Sequence, residues 1–331
     1  MTHPTMIPTR SPFNHVVAFE VSKETLVVHA LPADKQGMIA NKLAAVRRRL
    51  SAEMRENSQK GLAPLLVVCE ATGGYERHVL RAASELGLAC HRAHGSRVRS
   101  FANYLGLAAK TDRIDARLLA LYGLRTEGLR LYAPPAPEQL ALRALKARRD
   151  EIQQMLIAET NRLEHANHAI VATSLKTHIS ALKAALAKLE AEIAALLRAT
   201  SWLARKARLM QSVVGVGPIT AATLLAYLPE LGGLTRGQAA RLAGLAPIAK
   251  DSGKTSAPRH IEPGRVAVRR TLYMAAGIAM RFNPVLRIFA ARLKARGKPF
   301  KVIVTAVMRK LVVILNAILR DDEPCRHAKT A

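Results

Sequence analysis

The sequence predicts an α/β domain followed by a wholly helical half: a mixed sheet with flanking helices, a long helical segment, then a mostly α-helical domain. Three observations carry this. Short apolar, β-branched runs alternate with helical stretches over residues 16–132. Neither Gly nor Pro occurs from Gln139 to Val214. Beyond that, long apolar helices dominate to residue 322. The expected parts are a disordered N-terminus (1–15), a sheet domain (16–132), a helical coiled-coil linker (138–204), a helical domain (205–322) and a tail (323–331).

Residues 16–31 read as two strands, VVAFEV and TLVVHAL, joined by an SKE turn, and residues 38–57 as a helix. LLVVCE (65–70) ends in a Gly-Gly turn, which suits a central buried strand. A helix near 75–86, a strand near 88–93 and helices near 96–106 and 112–126 follow, before the Pro-rich break YAPPAPEQ. In the linker, Leu182, Leu186, Leu189, Ile193, Leu196 and Leu197 recur at helical spacing in the second of two helices meeting near Thr173–Thr177. A helical hairpin satisfies that pattern. A coiled-coil assembly element, its stripe free for a second copy, is the favoured expectation.

Lys and Arg number 51 against 24 Asp and Glu, a net charge of +27, which calls for a polyanionic partner. Residues 205–331 hold 23 of those cations against 6 acids, so the charge is concentrated in the second half. Aromatics at 4% argue against recognition by base stacking alone. No amphipathic anchor, lipidation motif or signal core points to a membrane. The longest apolar stretch, VIVTAVMRKLVVILNAIL, has Arg309 and Lys310 at its centre and reads as a buried helix. Cys69, Cys90 and Cys325 lack metal-ligand spacing and fit reduced, structural residues of a cytoplasmic protein.

Against this basic background four acids stand out. Glu20 and Glu70 each end an apolar run, and Asp112 and Asp115 share a helix face at spacing i, i+3. Singly, they would be caps, turns or partners of Arg113 and Arg117. Together they form a hard oxygen set for Mg²⁺, with a two-metal site possible, and phosphodiester chemistry needs such ions. Ser252, in the polar loop KDSGKTS between Lys250, Lys254 and Arg259, is either a solvated turn residue or a hydroxyl brought to a phosphate. Gly215, Gly217 and Pro218 precede a helix either as the hairpin of a phosphate-binding helix-hairpin-helix or as a simple turn. Further nucleic-acid contacts are expected from Arg265, Arg269 and Arg270.

VVAFEVSKETL, VVCEATGGYE, AKTDRIDARLLA, VVGVGPITAATLLA and GLAPIAKDSGK, in that order over nearly the whole chain, resemble the DEDD-type transposases of the insertion sequence 110 family. The resemblance implies an RNase H-like (RuvC-like) first domain whose acids, carried over onto Glu20, Glu70, Asp112 and Asp115, bind Mg²⁺. It implies that Ser252 attacks DNA, giving a phosphoserine intermediate. It implies donor and target DNA, a non-coding bridge RNA and a homo-oligomer, dimer or tetramer, as partners. The family usually has Asp where this chain has Glu20, whose carboxylate reaches one methylene further. Two other readings remain open: a RuvC-like nuclease that activates water, and a non-catalytic nucleic-acid-binding protein.

Overall fold

The computed structural model describes residues 13–59, 61, 64–107, 112–248, 260–261 and 264–325, without the side chains of residues 112–114. The chain forms two compact units that divide between Pro134 and Pro135.

The first unit is built on a five-stranded sheet of β1 (His15–Val21), β2 (Thr25–Leu31), β3 (Lys35–Ala40), β4 (Leu65–Glu70) and β5 (Ala89–Ala93) in the order β3-β2-β1-β4-β5. β1 pairs antiparallel with β2 and parallel with β4, and β5 runs parallel to β4. Strand residues alternate between two cores, as a period of two requires. Val17, Phe19, Val67 and Cys69 pack with α1 (Leu43–Gln59) and α2 (Arg77–Glu85). Val16, Ala18, Leu66 and Val68 pack with α3 (Gly95–Tyr104) and α4 (Asp112–Arg125). A sheet covered on both faces explains the continuous apolar runs. The mixed sheet is compatible with an RNase H-like domain. One element differs from expectation: residues 35–40, partly read as helix, form the edge strand β3. Its sequence KQGMIA leaves most side chains exposed, so no apolar alternation marks it.

The second unit begins with an antiparallel hairpin of α5 (Pro137–Glu164) and α6 (Ala169–Ala199), clipped by Arg149 to Glu190 at 2.7 Å. Its break lies at 165–168, not near Thr173–Thr177. The Thr173 and Thr177 hydroxyls donate to the carbonyls of Ala169 and Thr173, four residues back, and so sit within the helix. The C-terminal end of the apolar stripe has partners inside the chain. Ile193 is buried, and Leu196 and Leu197 half-buried, in one core with Leu142 and the helices that follow. Those are α7 (Ser201–Gln211), α8 (Pro218–Tyr227), α9 (Arg236–Leu242), α10 (Val266–Phe282), α11 (Pro284–Ala295) and α12 (Phe300–Asp321). By length and composition alone α12 would cross a membrane. Here Val304, Val307, Leu311 and Leu315 line the core and Asn316 bonds Gly232 N–H and Leu234 O, while Arg309 stays outside.

Candidate functional site

The sheet brings two of the four acids together. Parallel pairing runs from His15 with Leu65 to Phe19 with Cys69, so the next step sets Glu20 beside Glu70 at the carboxyl ends of adjacent strands. Both are half-buried. Alternation turns both toward the face covered by α3 and α4, since their neighbours two residues back, Ala18 and Val68, pack there. Charged groups at the end of an apolar strand need company or solvent, because an isolated buried carboxylate is costly.

Gly95, the first residue of α3, completes that corner. A methyl group there would overlap Glu70 Oε1, so the carboxylate occupies space that a side chain would otherwise fill. α4 comes close for the same kind of reason: a methyl on Gly123 would lie 2.6 Å from Val68 Cγ2 and 3.0 Å from Val16 Cγ1. Asp115 is half-buried two helical turns before Gly123, on the same stripe as Leu119. Asp112 opens α4, and its side chain is outside the described residues. Among the described residues, no group of three or more His, Cys, Asp or Glu side chains is gathered to hold a metal. The donors present are all carboxylates on one edge, which suits a hard divalent cation.

The turn after Glu70 is held by a carboxylate that sequence reasoning missed. Glu76 is 4% exposed and accepts from Gly74 N–H at 2.7 Å and Thr72 N–H at 3.3 Å. Burial alone would push its carboxyl up; those backbone N–H donors and its own outweigh burial and hold it below the usual value. Gly73 and Gly74, at φ +72° and +120°, supply the left-handed backbone this turn demands.

In the second unit Ser252, Lys250, Lys254 and Arg259 lie outside the described residues. The base of their loop is described. β6 (Pro247–Ile248) pairs with β7 (His260–Ile261), and Arg265 N–H donates to Leu242 O at 2.9 Å. Gly244 and Gly264 cross so closely that a methyl on Gly264 would overlap the backbone of Gly244. Arg265 is engaged internally: its guanidinium donates to both Glu230 oxygens and to Tyr227 O. Arg269 is half-buried and Arg270 exposed, the latter beside Asp150, Glu151 and Tyr227. The two hairpin glycines differ. Gly215, at φ +103°, presses on α10, where a methyl would lie 2.8 Å from Ala279 Cβ. Gly217 is exposed, with open space around it, at the start of α8.

Comparison with known proteins agrees with both units. Residues 17–171 match the family model of the DEDD-type IS110 transposase, and residues 207–291 match that of the transposase IS116/IS110/IS902 family. The pilin gene-inverting protein of Moraxella lacunata is 30% identical over 267 residues, 78% of this chain and 81% of that protein. The uncharacterized 43.6 kDa protein of insertion element IS110 from Streptomyces coelicolor is 32% identical over 216 residues, 62% of this chain and 51% of that protein.

Proposed function

Since the chain belongs to the IS110 family of transposases, and is a transposase or recombinase acting on DNA, we propose that it joins DNA through a phosphoserine intermediate at a Mg²⁺-binding carboxylate edge. The observation that carries this is the register that sets Glu20 beside Glu70 under α4. Glu20, Glu70, Asp112 and Asp115 would hold the metal, one ion or two, with the latter two reaching the edge from the first turn of α4. Bound there, a divalent ion supplies charge neutralisation at the scissile phosphate.

The chain's own residues do the rest. Ser252 forms the Oγ–P ester, losing its hydroxyl proton as the displaced 3′-oxygen takes one up. The phosphodiester is exchanged rather than hydrolysed, so rejoining needs no ATP. The name of the Moraxella relative, a gene-inverting protein, supports rejoining over cutting alone. Two converging stems at the Gly244–Gly264 crossing would present the Ser252 loop, with Lys250, Lys254 and Arg259 for phosphate contact. Open space at Gly217 and the exposure of Arg270 suit further backbone contacts, whereas Gly215 and Arg265 shape the unit itself. A non-coding bridge RNA would read donor and target DNA by pairing.

The working unit is a homo-oligomer, dimer or tetramer. An exposed apolar face lies on α10, where Tyr273, Met274, Ile278 and Phe282 surround a shallow cavity of about 240 Å³ at Gly277. A second copy, whose same face offers the same apolar side chains, is the occupant. Trapping tests the chemistry: with DNA, RNA and Mg²⁺ the protein should form a covalent DNA adduct. Ser252→Ala should bind DNA but lose adduct and cleavage; normal cutting by that variant would make water the nucleophile and the protein a nuclease.

A further inference from the structure

One buried amide has more partners than its own element needs. Asn41, just past β3, is 7% exposed. Its N–H donates to Glu24 O at 2.7 Å. Its side-chain Nδ2 donates to Ser22 O at 2.8 Å and to Tyr75 O at 3.1 Å. His78 Nδ1, from α2, lies 3.0 Å from Asn41 O and 3.2 Å from Asn41 Oδ1.

The acceptors are what matter. Ser22 lies in the turn that follows Glu20, and Tyr75 in the turn that follows Glu70. A single NH₂ group therefore ties together the two turns behind the adjacent acid-bearing strand ends. His78, from α2, sits against the oxygens of the same residue, Asn41. The second turn is independently stiffened by Glu76, so the amide links two defined objects rather than two loose ones. The amide's two donors match two backbone carbonyls, a role open to Asn but not to Asp, whose oxygens would face them without hydrogen.

We infer that Asn41 is a positioning residue that fixes the separation of Glu20 and Glu70 by clamping the turns behind them. The inference rests on the reading of those two acids as metal ligands. Groups bonded directly to a metal's ligands tune affinity by about 10–100-fold, and the amide acts one step further out, so the lower end applies.

The test uses the purified full chain and Mn²⁺ as probe, with bound ion counted by the loss of free-Mn²⁺ EPR signal. Wild type, Asn41→Ala, Asn41→Ser, Glu20→Gln and Glu70→Gln are compared, with circular dichroism and thermal unfolding on each. Asn41→Ala should keep its helix and strand content and bind Mn²⁺ about tenfold more weakly. Asn41→Ser, which keeps one donor, should fall between, and carries the test if the alanine variant fails to fold. Unchanged affinity in folded Asn41 variants, with affinity lost in the two glutamine variants, overturns the clamp and leaves Asn41 merely structural. Unchanged affinity in all the variants overturns the metal reading beneath it.

Discussion

Gly95→Ala separates the proposed metal edge from the fold that carries it. The added methyl would overlap Glu70 Oε1 and, of the heavy atoms around it, reaches nothing else but Glu70 Cδ at 3.4 Å. The atom in the way is the end of a flexible side chain, so the carboxylate gives way by about an ångström to reach ordinary contact. The stability cost then stays below the roughly 1–3 kcal/mol of an overpacked core. Alanine in place of glycine returns about 0.5–1 kcal/mol in the middle of a helix, and part of that at the first position, which Gly95 holds. The two offset, and the unfolding midpoint should stay within a few degrees of wild type. Function should not survive so well, since displacing a reacting centre by about 1 Å costs on the order of 10²-fold. The assay is the initial rate of strand cleavage against Mg²⁺ concentration, with thermal unfolding alongside. A stable variant that cuts about a hundredfold more slowly, or needs more Mg²⁺, is the expected outcome. Wild-type rate and Mg²⁺ dependence would refute the use of Glu70 in this pose, and a large fall in melting temperature would refute the packing argument.

Three further outcomes follow from other parts of the molecule. Glu20→Gln should abolish cleavage while DNA binding persists, and Glu20→Asp should retain or raise it; a fully active glutamine variant would remove this position from the ligand set. His15 is held above its ordinary value of 6.5 by its hydrogen bond to Glu53, against the opposing effect of burial. Burial would raise the Glu53 carboxyl, but the His15 bond and the Arg49 charge hold it below its ordinary value of 4.5. The histidine contribution is lost as pH rises through the raised value, and the glutamate contribution as pH falls through the lowered one. The first unit should therefore be most stable between the ordinary glutamate value of 4.5 and the ordinary histidine value of 6.5, and His15→Gln should flatten the fall of melting temperature above that window. Phe282→Asp should lower the mass seen by light scattering with melting unchanged, whereas Leu182→Asp should lower melting, because Leu182 is buried in the hairpin.

The strands that carry the acids were legible because each is an apolar, β-branched run ended by a carboxylate, a pattern that burial on both faces imposes. Glu20 beside Glu70 was only half legible: strand ends could be read, but not which strands are neighbours or in what register. β3 was hidden because an exposed edge strand needs no apolar alternation. The helix break at 165–168 has no Gly or Pro to announce it, and the threonines that suggested one bond back within their helix. Arg265 looked like a nucleic-acid contact by charge, yet Glu230, 35 residues earlier, takes up its guanidinium. Asn41 and Glu76 gave no signal, since their partners are backbone atoms brought close by the fold.

The parallel pairing of β1 with β4 also sets an order of events in time. His15 meets Leu65 only after the chain closes a loop of about fifty residues, and until then Glu20 and Glu70 are strangers. The α5–α6 hairpin needs no such search, because its contacts lie between consecutive helices, and contacts of that kind form fastest. A refolding chain thus acquires its helical hairpin early and its acid pair late. In that interval the two glutamates share no edge.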